Sequence, residues 1–242
     1  MTLLNWRDRI DAAIASHALT FHCQPIYRLH GKSPELFEVL VRLSENEAVI
    51  PAARFINEVS AEQLKAIDRL AVLGTLKHLQ QTQIPHAVNL SGHTLNDPQF
   101  PGWIAEQLSK SGVNPRSLML EITEQAALLL PSAQVISALR GLRFPLILDD
   151  LGSGYAAIPS ILAIEPDVLK VDGSIVRLMA QDHWRECIVF SLMAGADRRG
   201  ICLILEHVES ALIESRVMAL ARQFPKLNIM VQGWLYGQSK PC

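Results

Sequence analysis

Eight short apolar, β-branched runs recur along the chain with helix-period segments between most of them, and few folds accept that alternation. The runs are Leu19–Leu29, Leu36–Leu43, His86–Leu90, Leu118–Ile122, Leu146–Leu148, Val168–Val171, Cys202–Leu205 and Asn228–Val231. Each is too short for a stable helix and is bounded by Pro, Gly or polar residues, as strands are. Between them, Ala61–Gln81, Trp103–Ser111, Ser132–Leu142, Trp184–Arg199 and Ala211–Gln223 carry helical apolar spacing. Ser60 with Gln63 three residues on predicts a capping box. Gly112 and Gly200 stand where helix C-termini favour a left-handed residue. Eight strands alternating with helices over 242 residues predict an α/β architecture, a (β/α)8 barrel. Only His30–Glu35 separates the first two runs, too few residues for a helical crossover. One of those two strands should therefore run antiparallel.

No Pro/Gly/Ser-rich linker interrupts the pattern, which predicts a helical lead-in over residues 1–17 and one barrel domain over residues 18–242. Apolar residues make up 49% of the chain, enough to fill a large core and to exclude a disordered chain. Lys and Arg number 22 against 24 Asp and Glu, a balance that argues against direct DNA binding or adhesion to an anionic membrane surface. No apolar run reaches the length of a membrane span. Arg7, Asp8, Arg9 and Asp11 break up the apolar pattern of the N-terminus, so it does not read as a signal peptide. A cytoplasmic location is expected. Cys23, Cys187, Cys202 and Cys242 form no C-x-x-C pair and no Cys/His cluster of zinc spacing, so they are expected to be incidental thiols.

In a barrel of this kind, polar residues at the C-terminal ends of the strands build the site. The second run carries Glu38, with Arg42 four residues on. The third ends in Asn89, the fourth in Glu121 followed by Glu124, and the fifth in Asp149 and Asp150. The sixth ends in Lys170 and Asp172, the seventh in Glu206 followed by Glu209, and the eighth in Gln232. One acid at a strand end is commonly a cap or turn former. Seven strands in succession, with Glu inside β-branched runs, do not fit that reading, because a charge in an apolar strand is costly unless paired or metal-bound. Carboxylate and amide oxygens without His or Cys suit Mg²⁺ or Mn²⁺. Two such ions would clamp an in-line phosphoryl displacement. Lys170 and Arg42 add cations for phosphate. The pattern points to metal-assisted phosphodiester hydrolysis. Eight of the 24 acids are then assigned to one pole, leaving the remaining surface mildly basic.

On these residues the chain resembles the EAL domain family, the bacterial cyclic di-GMP phosphodiesterases. The motif residues are Glu38-Val39-Leu40-Val41-Arg42, with Gln24-Pro25-Ile26 upstream. PAARFI (Pro51 to Ile56), VNLSG, LEITE, DDLGSGY, LKVD, EHVE and QGW follow in order. The resemblance runs from about Phe21 to Pro241. It implies a modified TIM barrel with one antiparallel strand near the N-terminus, and hydrolysis of cyclic di-GMP to linear pGpG with Mg²⁺ or Mn²⁺, two ions in all.

Carried over residue by residue, the resemblance makes Glu38, Asn89, Glu121 and Asp149 metal ligands, with Asp150 serving the second ion. Lys170 would orient the catalytic water or screen phosphate charge, and Glu206 would be general base or second-ion ligand. Asp172, in the inner layer beside Lys170, and Gln232, hydrogen-bonding near the metal-bound water, would join Gln24, Leu40 and Arg42 in the substrate-binding set, the last three contacting the dinucleotide. Glu124 would tie down the loop Asp150 to Tyr155, which contains Gly152, Ser153 and Gly154, and Glu209 would support the loop after the seventh strand. The loop and helix after the fifth strand would form a homodimer interface. A fused or partner sensory or GGDEF-type domain is a further implied partner. The alternative is a catalytically silent cyclic di-GMP receptor. Departures from the family pattern are Val39 for Ala, Leu151 and Ser153 for Phe and Thr, Ile175 for a frequent Phe, and His207 for a Gly. If that Gly has positive φ, His207 costs on the order of 1 kcal/mol.

Overall fold

The computed structural model describes residues 5–123, 126–127, 132–152, 161 and 163–242. Glu124, Ser153, Gly154 and most of the segment expected to form a dimer interface lie outside them. Among the described residues ten strands form in chain order: β1 (Leu19–Arg28), β2 (Pro34–Glu45), β3 (Ala48–Pro51), β4 (His86–Leu90), β5 (Leu118–Thr123), β6 (Leu146–Leu151), β7 (Val168–Val171), β8 (Cys202–Leu205), β9 (Ile229–Val231) and β10 (Lys240–Pro241). The helices used below are α1 (Trp6–Ser16), α2 (Ala61–Leu79), α3 (Gly92–Leu95), α4 (Phe100–Ser111), α5 (Ala133–Gly141), α6 (Gly173–Val176), α7 (His183–Arg199) and α8 (Ala211–Ala221).

All eight expected runs are strands of one closed barrel. β2 and β4 to β9 are parallel neighbours, and β1 closes the ring antiparallel to both β2 and β9. The short β1–β2 connection forces that reversal. The two unexpected strands are short edge additions. β3 pairs with the end of β2, and β10 with His22 and Cys23 of β1. Four and two residues respectively carry too little periodicity to stand out in sequence. The capping box is present at Ser60 and Gln63, and Gly112 and Gly200 end α4 and α7 with φ of 67° and 66°. On α1, Ile10 and Ala13 are buried in a cluster with Leu19, Leu43, Phe55, Val59 and Ile67.

The two-residue period of the strands builds the site. Ile26, Leu36, Ala87, Met119, Ile147, Val168, Ile204 and Met230 form a separate apolar cluster with Cys202, one residue from each barrel strand. Those side chains point into the barrel, so they make its floor. Two residues nearer the open end on each strand stand Gln24, Glu38, Asn89, Glu121, Asp149, Lys170, Glu206 and Gln232. Residues i and i+2 share a face, so an apolar floor at one level fixes a polar layer at the next.

One expectation is overturned. Cys23 and Cys242 are not incidental thiols; they form a disulfide across 219 positions. The pairing of β10 with β1 brings the two sulfurs together, and no local spacing in the sequence announces it. Among the described residues Cys187 and Cys202 are free.

Candidate active site

Lys170 sits at the centre of the polar layer with no exposed surface. Its Nζ lies 3.0 Å from Glu206 Oε1, 3.1 Å from Asp149 Oδ1, 3.4 Å from Glu38 Oε2 and 3.5 Å from Glu121 Oε1. Two amides bracket Glu38: Asn89 Nδ2 donates to Oε1 at 3.2 Å and Gln232 Nε2 to Oε2 at 2.6 Å. Five strands thus aim charge at one point, and two others supply the amides that hold Glu38.

Adjacent residues on a regular strand face opposite sides, so Asp149 and Asp150 should not both reach the barrel mouth. The register resolves this. Leu148 faces Leu169 and Leu151 faces Val171, so β6 advances three residues while β7 advances two. The extra residue is a β-bulge. Asp150 takes a left-handed φ of 58°, and its backbone N–H donates to Asp149 Oδ1 at 2.8 Å. Asp tolerates this region better than most residues. The sequence shows the paired acids but not the bulge.

The other expected site residues lie around this nest. Leu40 is half-buried on the same face of β2 as Glu38 and Arg42. Arg42 Nη2 donates to Ser239 Oγ at 3.3 Å, and Gln24 Nε2 to Gly237 O at 3.5 Å, so both engage the C-terminal tail rather than the acids. Asp172 caps α6 by accepting from Ser174 N. Glu209 stands one residue before Ser210, the N-cap of α8, and lies 3.3 Å from His207 Nδ1. His207 has the positive φ anticipated for that position, 52°. Its ring rests on Gly173, where an added Cβ would fall 2.1 Å from it. Gly152 likewise has φ of 95° and abuts Ile175.

Sequence reasoning missed Asp68. It is buried on α2, and its Oδ2 accepts from Ser91 N, Ser91 Oγ and Thr94 Oγ1 at 2.8, 2.7 and 2.6 Å. These bonds anchor the turn that follows Asn89. An acid amid the buried positions Ile67, Ala71 and Val72 was the available signal.

The EAL domain model matches residues 7–239. The chain belongs to the EAL domain family. The chain spans about a third of the length of the first curated relatives it matches. One of them, "Cyclic di-GMP phosphodiesterase PdeF" of Escherichia coli (strain K12), is 26% identical over 97% of this chain and 32% of its own length. The EAL domain of FimX from Pseudomonas aeruginosa, solved bound to c-di-GMP, superposes with a TM-score of 0.84 at 25% identity, covering 96% of this chain and 95% of that one. Klebsiella pneumoniae BlrP1, solved as a calcium/cyclic di-GMP complex, gives 0.78 at 25% identity over 93% and 56%. Among the described residues no helix is long and apolar enough to cross a membrane.

The acids of this EAL domain do not share one protonation behaviour. Burial works to raise Glu38, but Lys170, Gln232 and Asn89 hold it below the usual carboxylate range. Burial raises Glu121 well above that range, with only Lys170 opposing. Burial also raises Asp149, pushes Asp150 up to about 6, and pushes Glu206 up to about 8. Both carboxylate oxygens of Glu121 are buried without a hydrogen-bond partner. Such an arrangement fits a cation the acids are built to hold. Two carboxylate triplets have donor atoms within 4.8 Å of one another: Glu38, Glu121 and Asp149, and Asp149, Asp150 and Glu206. Asp149 belongs to both. Oxygen donors alone suit a hard divalent ion.

Two stability predictions arise here. The raised acids bind protons more tightly in the native state than in the unfolded chain. Their contribution is full below about pH 4 and is lost as pH rises through the folded value, about 8 for Glu206. His86, pushed down to about 4 by burial, stays neutral above pH 6.5 and does not offset the loss. Denaturant unfolding in EDTA should therefore show stability falling by on the order of 1–2 kcal/mol between pH 6.5 and 8.5. Excess Mn²⁺ should flatten the profile. Separately, Glu121→Gln should raise the metal-free melting temperature by about 2–4 °C, the shift that roughly 1 kcal/mol produces in a domain of this size. Calorimetry should show metal affinity falling in the same variant.

Proposed function

We propose that this EAL domain hydrolyses cyclic di-GMP to linear pGpG in bacterial second-messenger signalling, using Mg²⁺ or Mn²⁺. The observation that carries the reading is the buried Lys170 within 3.5 Å of four carboxylates, one of which, Glu121, has no hydrogen bond to either oxygen. The names of the relatives supply the substrate.

Glu38, Asn89, Glu121 and Asp149 would hold one ion, and Asp150 would serve a second. Bound divalent ions supply the positive charge that lets an acidic pit accept two phosphates, and they polarise the attacked phosphoryl group. Lys170 keeps the four acids at close quarters before the ions arrive and offers a fixed cation at the floor of the pit. Gln232 and Asn89 orient Glu38 by donating to its two oxygens. Glu206 Oε1 takes the proton of the attacking water. Without metal, burial pushes its carboxyl up to about 8; divalent charge at the nest would lower that value and leave the carboxylate ready to accept a proton. Gln24, Leu40 and Arg42 contact the dinucleotide, for which Arg42 must exchange its bond to Ser239. Asp172, fixed by its cap on α6, lies beside the substrate, and Glu209 supports the His207–Val208 turn.

The test is chromatography of cyclic di-GMP incubated with the purified chain. Linear pGpG should accumulate with Mn²⁺ or Mg²⁺ and stop on adding EDTA. Tight binding with no product under those conditions would replace this reading with a receptor.

A further inference from the structure

A second constellation lies on the outer face of the barrel, beneath α2 and apart from the acidic nest. Cys23 alternates with the inward Gln24 on β1, so it points outward, and Cys242 is disulfide-bonded to it. His78 comes from the last turn of α2 and His86 opens β4. The Cys23 sulfur and one ring nitrogen from each histidine lie within 4.8 Å of one another. The two rings meet edge-on, with centroids 4.9 Å apart.

His86 is set up as a ligand. It has no exposed surface, and its Nδ1 lies 2.8 Å from Ile84 O. A carbonyl only accepts, so that nitrogen carries the ring proton and Nε2 presents its lone pair. Nε2 is buried with no hydrogen-bond partner. A ring held through Nδ1–H to a backbone carbonyl with Nε2 free is the usual disposition of a metal-ligating histidine. A cavity of about 430 Å³ bordered by His78, His86 and Cys242 gives an ion a way in.

We propose that, once the Cys23–Cys242 disulfide is reduced, Cys23, Cys242, His78 and His86 form a Cys2His2 site for Zn²⁺. Two thiolates and two neutral imidazoles make a tetrahedral donor set for zinc, with bonds of about 2.0–2.3 Å; the donors of Cys23, His78 and His86 already lie within 4.8 Å of one another, and Cys242, bonded to Cys23, borders the same cavity as both histidines. The hard-oxygen nest at the barrel mouth and this sulfur–nitrogen set would then select different metals by donor chemistry. A water-soluble phosphine accomplishes the reduction. It becomes its oxide with oxygen from water, and the S–S bond takes two electrons and two protons to give two thiols. Metal binding displaces those two protons.

The experiment titrates the purified 242-residue chain, reduced with the phosphine and freed of metal, with Co²⁺ as the probe. One equivalent should produce thiolate-to-cobalt charge-transfer absorption and the strong visible bands of a tetrahedral ion, both bleached by Zn²⁺. Oxygen ligands in the acidic nest give neither. The disulfide-bonded protein should lack both signals. Cys242→Ser, at an exposed position, and His78→Gln should weaken cobalt binding by more than about tenfold. No thiolate-to-cobalt band in the reduced protein would overturn the proposal, as would a band of unchanged strength and affinity in Cys242→Ser.

Discussion

Replacing Lys170 with methionine should destabilise the metal-free protein by about 3–5 kcal/mol, the cost of leaving buried charge without its partner. Lys170 has no exposed surface, and four carboxylates converge on its ammonium group. Methionine keeps most of the volume and removes the only cation in that set. Denaturant unfolding in EDTA measures the loss. Mn²⁺ should restore part of it, because divalent charge at the nest replaces what the variant lacks. The sign contrasts with Glu121→Gln, which replaces an acid that burial and the neighbouring carboxylates force to hold a proton with a permanently neutral amide, and should stabilise the same metal-free state. A Lys170→Met variant within about 1 kcal/mol of the parent would mean that Glu38, the acid Lys170 holds ionised, needs no counter-charge.

The second large effect is kinetic. Glu206→Gln keeps the shape of the side chain and removes its capacity to accept a proton. If Glu206 Oε1 is the base, kcat for cyclic di-GMP should fall about 10²–10⁴-fold. Initial rates at saturating Mn²⁺ across pH 6 to 10 check the assignment. The rising acid limb of the profile should disappear in the variant. A fall in kcat with that limb intact would make Glu206 a positioning residue and leave the base elsewhere.

The sequence made the pole of the barrel legible for a simple reason. An apolar floor residue followed two positions later by Glu, Asn, Asp, Lys or Gln repeats on strand after strand, and two-residue periodicity puts all of them at one level. Lys170 and Glu121 stood out because neither belongs in a β-branched run without a partner. The antiparallel β1 followed from the six-residue connection at His30–Glu35. Three features were not legible. The bulge at Asp149–Asp150 depends on register against β7, which no single strand encodes. The bonds from Ser91 and Thr94 to Asp68 cross from α2 to the turn after β4. The gathering of Cys23, Cys242, His78 and His86 depends on the chain's end returning to β1, so spacing rules for cysteine had nothing local to read. His207 lay between these cases: its departure from Gly flagged a positive φ, whereas its seat on Gly173 depended on the packing of α6.

If the nest around Lys170 is the metal-binding hydrolytic centre, its carboxylates must take up divalent ions. Anomalous diffraction at the manganese edge from crystals of this domain grown with Mn²⁺ tests it most directly. Manganese should appear at the barrel mouth in contact with Glu38, Asn89, Glu121 and Asp149, with a second peak beside Asp149 and Asp150. A mouth without manganese, with Lys170 still paired to all four acids at saturating metal, would contradict it.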